Sequence, residues 1–219
     1  MAWDGGRRAV DRAVDGIRLH GLGRALAMAP RWLVRREYLV LARDLTTPLP
    51  ALPPEPVRWS ALGVNHLAAL RALDPDLSED EIRRRWREGQ HTEGGWDGDR
   101  LVYARWETRG PTYLPYLGCV LRPSPTDLLV VEQFTHFLAR GRGIATAASL
   151  RSLHRAREAG CRRSLALVAW WNEPALRVTR DHMGRRIMGT VGFWNLGITR
   201  HYFATGEPRV GPHGVSVGH

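Results

Sequence analysis

Apolar residues recur along this chain with two periods, helical and alternating, and the switches between them predict the order of its elements. Val10, Ala13, Val14 and Ile17 fall at i, i+3, i+4 and i+7, one stripe of a helix from about Arg7 to His20, which Gly21 and Gly23 end. A second apolar segment through Leu26, Trp32 and Leu33 leads into Tyr38-Leu39-Val40-Leu41-Ala42, read as a strand or a helix end. Pro48, Pro50, Pro53, Pro54 and Pro56 then hold the backbone extended, because each fixes its own φ and disfavours helix in the residue before it. A boundary near residue 55 follows. It separates an N-terminal helical extension and linker (1–56) from a main domain (57–205), and a Gly-rich polar tail (206–219) is expected to be loose.

Within the main domain, Val57-Arg58-Trp59 reads as a short strand and Leu62 to Leu73 as a helix stopped by Asp74-Pro75. Ser78 followed by Glu81 is a capping box that starts the next helix. Ile82 and Trp86 form its narrow apolar face; Arg83, Arg84, Arg85 and Arg87 form the other, a solvated surface or an entrance for an acidic partner. Gly94-Gly95 and Asp97-Gly98-Asp99 are turn chemistry, bounding hairpin strands around His91 and from Arg100 to Glu107. Tyr113 to Leu121 predicts another strand. The unbroken run Leu128 to Val131 suits a strand from Asp127 to Thr135 buried on both faces. A helix follows from Gly143 to Glu158, burying Ala147, Leu150, Leu153 and Ala156. Ser164 to Trp170 is a strand, and Asn172-Glu173-Pro174 opens a helix with Pro in its first turn, ending near Gly184. Arg186 to Phe193 and Ile198 to Phe203 pair as a last hairpin. The pattern is that of an α/β (α+β mixed) domain, a mixed sheet with helices on its faces.

Composition narrows the function classes. Of 219 residues 43% are apolar and 25% charged, with no run near the ~18 apolar residues a membrane span needs and no signal-peptide core, so a soluble, cytoplasmic protein is expected. A net charge of +10 would suggest an anionic partner, yet every Lys-or-Arg position is Arg, which points to compositional bias. Without an aromatic-and-basic motif, no nucleic-acid partner is expected. Cys119 and Cys161 read as two reduced thiols, too few for a disulfide framework or a zinc site.

The stretch with the most chemistry is DLLVVEQFTHFLARGRGIA, Asp127 to Ala145, a strand feeding Arg140-Gly141-Arg142-Gly143-Ile144-Ala145 and then a helix. A glycine-rich loop at a helix N-terminus is an anion cradle, because the first-turn N–H groups lack internal acceptors and the helix dipole favours negative charge. Gly141 and Gly143 allow a ligand close to the backbone, while Arg140 and Arg142 add charge. The spacing is not that of a dinucleotide fingerprint, and the Lys-Ser/Thr of a P-loop is missing.

This segment resembles motif A of the GNAT superfamily of N-acetyltransferases, Gln/Arg-x-x-Gly-x-Gly/Ala, matched by Arg140, Gly143 and Ala145. Asn172-Glu173-Pro174-Ala175, some thirty residues on and leading to Gly184, is similar to the family's Asn-x-Pro-Ala helix. The resemblance covers about residues 57 to 205. It implies a splayed mixed sheet holding an acyl-coenzyme A, with acetyl-CoA as donor cosubstrate and no metal. By the same resemblance the amides of Arg142 to Ala145 hold the pyrophosphate, Phe134, Thr135 and His136 lie along the pantetheine arm, and Asn172 contacts that arm from the next strand. An amine then attacks the thioester carbonyl directly.

Glu132 is the expected base: many relatives place an acid there, and a carboxylate on an apolar strand should have a raised pKa. Its alternative role is a salt bridge to an arginine. His136 has a suitable intrinsic pKa but lies at the strand's exit, where a surface loop role competes. Where relatives carry an acidic Tyr this chain has Thr179, so the thiolate leaves unaided, His182 or Tyr202 substitutes, or catalysis is lost. Three readings stay open: an acetyltransferase acting on an amine of a small molecule or protein, an acyltransferase using a longer acyl-CoA or an acyl carrier protein, and a non-catalytic CoA sensor or interaction module. A homodimer is compatible with each.

Overall fold

A computed structural model describes residues 35–196 and 199–218. The helix expected over 7–20 lies outside them. The described residues fall into two compact units, a larger one of Tyr38–Val191 with the chain from Ala204 onward, and a smaller one drawn from 35–37 and Gly192–Phe203. Each is described by itself.

In the larger unit the main sheet runs β1-β8-β7-β4-β3-β2, with β1 at Arg35–Asp44, β2 at Arg58–Ala61, β3 at His91–Asp97, β4 at Arg100–Thr108, β7 at Asp127–Thr135 and β8 at Arg163–Ala169. β7 and β8 are parallel, and the other pairings are antiparallel. The mixed sheet expected from the pattern is therefore present. Its first strand is not where the proline boundary places it. Tyr38 to Asp44 pairs with Ala169 to Arg163, and Val40, Leu41 and Leu45 are buried, so the strand before the prolines belongs to the main sheet. The prolines interrupt the chain without interrupting the core.

Helices lie on both faces of β4, which explains why every residue from Leu101 to Thr108 is buried. α1 (Leu67–Leu73) and α2 (Glu79–Arg87) cover the face of Ala104 and Trp106; α3 (Ile144–Glu158) covers the face of Tyr103, Arg105 and Glu107. Side chains alternate faces along a strand, so the two sets cannot mix. Ser78 Oγ accepts from the Glu81 N–H at 3.2 Å and starts α2 as expected, but the Glu81 carboxylate turns to Arg84 and Arg85. Ala147, Leu150, Leu153 and Ala156 of α3 are buried.

The interface under α3 is ionic. Arg105, 1% exposed, bonds Glu107 at 2.5 Å, Gln133 at 3.0 Å and Ser149 at 3.0 Å; Glu107 also accepts from Ser152 and from Arg155 at 2.7 Å. Burial works against the Glu107 charge, but Arg105 and Arg155 outweigh it and hold the carboxyl down at about 2.

Two expectations fail toward the ends of apolar runs. Tyr113 to Leu121 is not one strand: β5 (Thr112–Leu114) and β6 (Cys119–Pro123) are separated by a turn in which Gly118, at φ 74, donates to Leu114 O at 2.7 Å. Pro115 has no N–H to continue a ladder. Nor is the tail loose, since β11 (Arg209–Gly211) and β12 (Gly214–Val217) form a second sheet ordered β11-β12-β6-β5, with Val215 and Val217 buried.

α4 (Glu173–Arg177) passes into a π-helical turn, Val178–His182, and β9 (Arg186–Leu196) and β10 (Thr199–Gly206) form the last hairpin. In the smaller unit the Arg35 guanidinium lies 4.9 Å from both the Trp194 and Phe203 rings, and Phe193 meets Tyr202 at 5.7 Å. Among the described residues no helix is long and apolar enough to cross a membrane.

Candidate active site

β7 ends at Thr135, and a single 3-10 turn, Phe137–Ala139, carries the chain into the glycine loop. Gly141 and Gly143 have φ of 78° and 74°, values L side chains rarely adopt, and a Cβ at either would meet nothing within 4 Å. The glycines are thus demanded by backbone conformation, and the space before them is open. Gly143 is the N-cap of α3, whose first backbone bond is Ala147 N–H to Gly143 O at 2.9 Å. The N–H groups of Ile144, Ala145 and Thr146 consequently have no acceptor inside the helix. The glycine loop therefore runs into a helix N-terminus at the position the sequence indicates.

Its arginines differ from each other. Arg142 is drawn aside by Asp97 at 2.5 Å, and that hydrogen bond and charge lower the Asp97 pKa. Arg142 therefore adds less charge to the cradle than its position suggests. Arg140 donates from Nε to Thr135 O at 3.3 Å, bracing the loop against the end of β7.

The second feature is a fork. β7 and β8 pair only from Asp127↔Arg163 to Val130↔Ala166. Beyond that, β7 stays with β4 as far as Thr135, while β8 stays with β1 as far as Ala169. The register of β4 on β7 shifts between Trp106 and Glu107, leaving Val131 as an extra residue at the fork. The facing edges of the two strands diverge, so the edge of β7 from Glu132 to Thr135 runs open into the cradle. Two tyrosines stand at the fork: Tyr116 donates to Val131 O at 3.5 Å, and Tyr38 lies 4.9 Å from its ring. Burial, then the neighbouring Tyr38 and the Glu132 charge, raise the Tyr116 pKa.

Glu132 does not sit in the apolar setting expected of it. Its side chain is 41% exposed and its Oε2 meets Arg85 Nη2 at 2.7 Å, the salt-bridge alternative. Arg85 was grouped by the sequence with a solvated basic face, but it is 3% exposed, bonds Glu81 at 2.9 Å and lies 5.1 Å from the Trp106 ring. Arg83 and Arg84 pair with Glu79 and Glu81 of their own helix and with Glu88 just past its end, which reduces α2 as an entrance for an acidic partner. Beside Glu132 is a notch of about 10 Å³, room for one water-sized group, lined by Leu70, Leu73, Asp74, Leu77, Ala104, Trp106, Glu132 and Phe134. Asp74 lines this notch and was not singled out by the sequence. Its only signal was the Asp-Pro that stops α1.

His136 lies four residues beyond Glu132, roughly 13 Å along the strand. Its Nε2 is 2.8 Å from Arg100 and its Nδ1 accepts from the Leu138 N–H at 3.3 Å. Desolvation, Arg100 and Arg140 together lower its pKa. His136 thus stands at the lip of the cradle and apart from the carboxylates. Asn172 caps α4, its Oδ1 accepting the Ala175 N–H at 3.2 Å, which leaves the amide NH₂ as a donor. Thr179 is buried in the π-helical turn, His182 is exposed at that turn's end, and Tyr202 belongs to the smaller unit.

No family model and no curated protein matches the chain. Among solved structures it is similar to a putative GNAT-family acetyltransferase from Novosphingobium aromaticivorans, with a TM-score of 0.52 and 20% identity over 72% of this chain and 63% of that one. A GNAT-family acetyltransferase from Colwellia psychrerythraea aligns with a TM-score of 0.49 at 16% identity, over 69% of this chain and 53% of that one. A GCN5-related N-acetyltransferase from Sphaerobacter thermophilus gives 0.49 and 16%, over 84% and 56%. The chain has the fold of the GNAT acetyltransferases, and it spans 63% of the length of the Novosphingobium structure.

Proposed function

We propose that the chain is an acyl-coenzyme A dependent N-acyltransferase, with acetyl-CoA as donor and an amine as acceptor. One observation carries this reading: β7 and β8 part after Val130↔Ala166, and the open edge of β7 leads straight into the amides of Gly141 to Ala145. A pyrophosphate suits the cradle because its donors are backbone N–H groups at a helix N-terminus. The residues present fit the donor: Phe134 and Thr135 would pair with the pantetheine arm along the open edge, Asn172 would donate its amide from across the fork, and Arg140, Gly141, Arg142, Gly143, Ile144 and Ala145 would surround the phosphates.

Holding donor and acceptor together supplies much of the rate in such a direct transfer. Glu132 faces the notch, held by Arg85, and would bind the acceptor's ammonium. His136 would serve the donor end. Tyr116, whose hydroxyl stands at the fork, would supply the phenol where this chain has Thr179.

The direct test is a thermal shift with acetyl-CoA, longer acyl-CoAs and free CoA. Saturating donor at about 100 times its Kd should stabilise the protein by about 2.7 kcal/mol. Gly143→Glu should abolish the shift, since it forces a side chain with a negative charge into a left-handed position at the phosphate site. No shift with any of the three ligands on the unsubstituted protein sinks the reading.

A further inference from the structure

At the end of the sheet away from the glycine loop, β1 finishes at Asp44, β8 begins at Arg163 and β9 begins at Arg186. Arg163 pairs with Asp127, the first residue of β7, and the glycine loop follows the other end of that strand, roughly 26 Å along it. The three strand ends contribute to a hollow of about 470 Å³, all of whose walls belong to the larger unit. Arg43, Arg162, Arg163 and Arg186 line it, and Asp44 is the one acid among them.

The charges of this wall do not cancel. Arg163 is neutralised, because it bonds both Asp127 oxygens, at 3.0 and 2.8 Å, and Glu207 at 3.2 Å. Arg43 is held by carbonyls instead, Pro48 O at 2.6 Å and Gly184 O at 3.3 Å, and its buried Nε has no acceptor. Arg162 and Arg186 are exposed, and among the described residues neither side chain has a hydrogen bond or an ion pair. Against these three cations stands Asp44 alone, with its Oδ1 already taken by the Thr46 amide at 2.8 Å and hydroxyl at 2.7 Å. Arginine is abundant throughout the chain, but those packed on the sheet mostly answer carboxylates, as Arg85, Arg105, Arg151 and Arg155 do. Here three share one hollow without that compensation.

We propose that this hollow is a second ligand site, which binds a small sugar phosphate with its phosphate held by Arg162 and Arg186 in the field of Arg43. A guanidinium presents a planar fork of donors that matches two phosphate oxygens, and a doubly charged phosphate answers the surplus of cations better than a single carboxylate does. The hollow is far larger than a bare ion and lies in the size range of small-molecule sites. Its other lining residues indicate what the phosphate is attached to. Thr46 and Thr47 have their hydroxyl hydrogens committed to Asp44, to Oδ1 at 2.7 Å and to the backbone O at 2.9 Å, so they offer a ligand acceptor lone pairs, which suit sugar hydroxyls. Ala42 and Met188 supply apolar surface for the carbon skeleton. Arg43 is fixed beforehand by its two carbonyls, so less freedom is lost when the ligand enters. The site stands apart from the glycine loop and does not rest on the acyltransferase reading.

The test uses the full chain with its four methionines labelled at the methyl carbon, the Met188 signal being assigned with Met188→Leu. Ribose 5-phosphate should shift the Met188 methyl resonance saturably, whereas ribose at the same concentration should not. Arg162→Glu combined with Arg186→Glu should weaken the binding by about tenfold and leave both the acetyl-CoA thermal shift and the melting temperature of the free protein as they are. Both side chains are exposed and unbonded, so their exchange does not disturb the fold. Gly143→Glu should leave the ribose 5-phosphate titration unchanged. The proposal is overturned by an unmoved Met188 signal, by equal affinity in the doubly substituted protein, or by loss of the response in Gly143→Glu, which would place the phosphate in the glycine loop. Inorganic phosphate binding as tightly as ribose 5-phosphate would overturn the sugar phosphate class in favour of a bare anion site, and a single-stranded oligonucleotide binding more tightly than either would overturn it in favour of a nucleic-acid surface.

Discussion

In the proposed transfer, Tyr116 would take the role that relatives are expected to give to a tyrosine at the position of Thr179. Thr179 is buried inside a π-helical turn, whereas the Tyr116 hydroxyl stands at the fork of β7 and β8, 3.5 Å from Val131 O. Tyr116→Phe keeps the ring on Tyr38 and removes only the hydroxyl. It should lower turnover roughly tenfold to a hundredfold while the coenzyme A thermal shift stays the same; equal turnover would remove Tyr116 from the chemistry. At this scale the place of Glu132 on β7 was legible from the sequence, because it follows directly on the apolar run that predicts the strand. Its partner Arg85 was not. A run of four basic residues on a helix does not reveal which one points inward, and only the packing of α2 on Trp106 selects Arg85.

At the scale of elements, the glycine-rich C-terminus shows how one residue type supports two readings. Gly214 has φ 121°, and a Cβ there would lie 2.1 Å from Val120 O. The glycine lets β12 approach β6 closely instead of loosening the chain. Ending the chain after Glu207 removes β11 and β12 and the buried Val215 and Val217, at about 1.5–3 kcal/mol each. Urea unfolding should show a loss of about 3–6 kcal/mol, and an unchanged midpoint would mean the strands contribute nothing. β1 was ambiguous for a related reason. Tyr38 to Ala42 is too short and too uniformly apolar to separate strand from helix, and pairing with β8 decides it.

The whole molecule is strongly basic, yet the buried carboxylate that ties α3 to the sheet should weaken it in acid. Glu107 ionises at about 2 when folded against an ordinary 4.5, so it contributes stability that is fully present above pH 4.5 and lost as pH falls from there toward 2. The shift corresponds to something on the order of 3 kcal/mol. Urea unfolding across that window should show the loss. Glu107→Gln should flatten it and, by leaving Arg105 buried without its carboxylate, should cost about 3–5 kcal/mol at pH 7. A Glu107→Gln protein with the unchanged acid slope would assign the lability elsewhere. Because the glycine loop leads into the N-terminus of α3, the same network holds that loop's helix to the sheet.

Local patterns by themselves determined most of the order of strands and helices in the main domain, apart from the break between β5 and β6, together with the glycine loop at the start of α3 and the place of Asn172, because each depends on residues within a few positions of one another. Only the tertiary structure decided that β1 and β12 join sheets, that Arg85 turns inward to Glu132, that an ionic layer lies under α3, and that Asp74 and Tyr116 stand near the open edge of β7. Those facts depend on residues tens of positions apart, as with Asp74 and Glu132 at one notch, and separations of that kind are set by how strands register and how faces are covered.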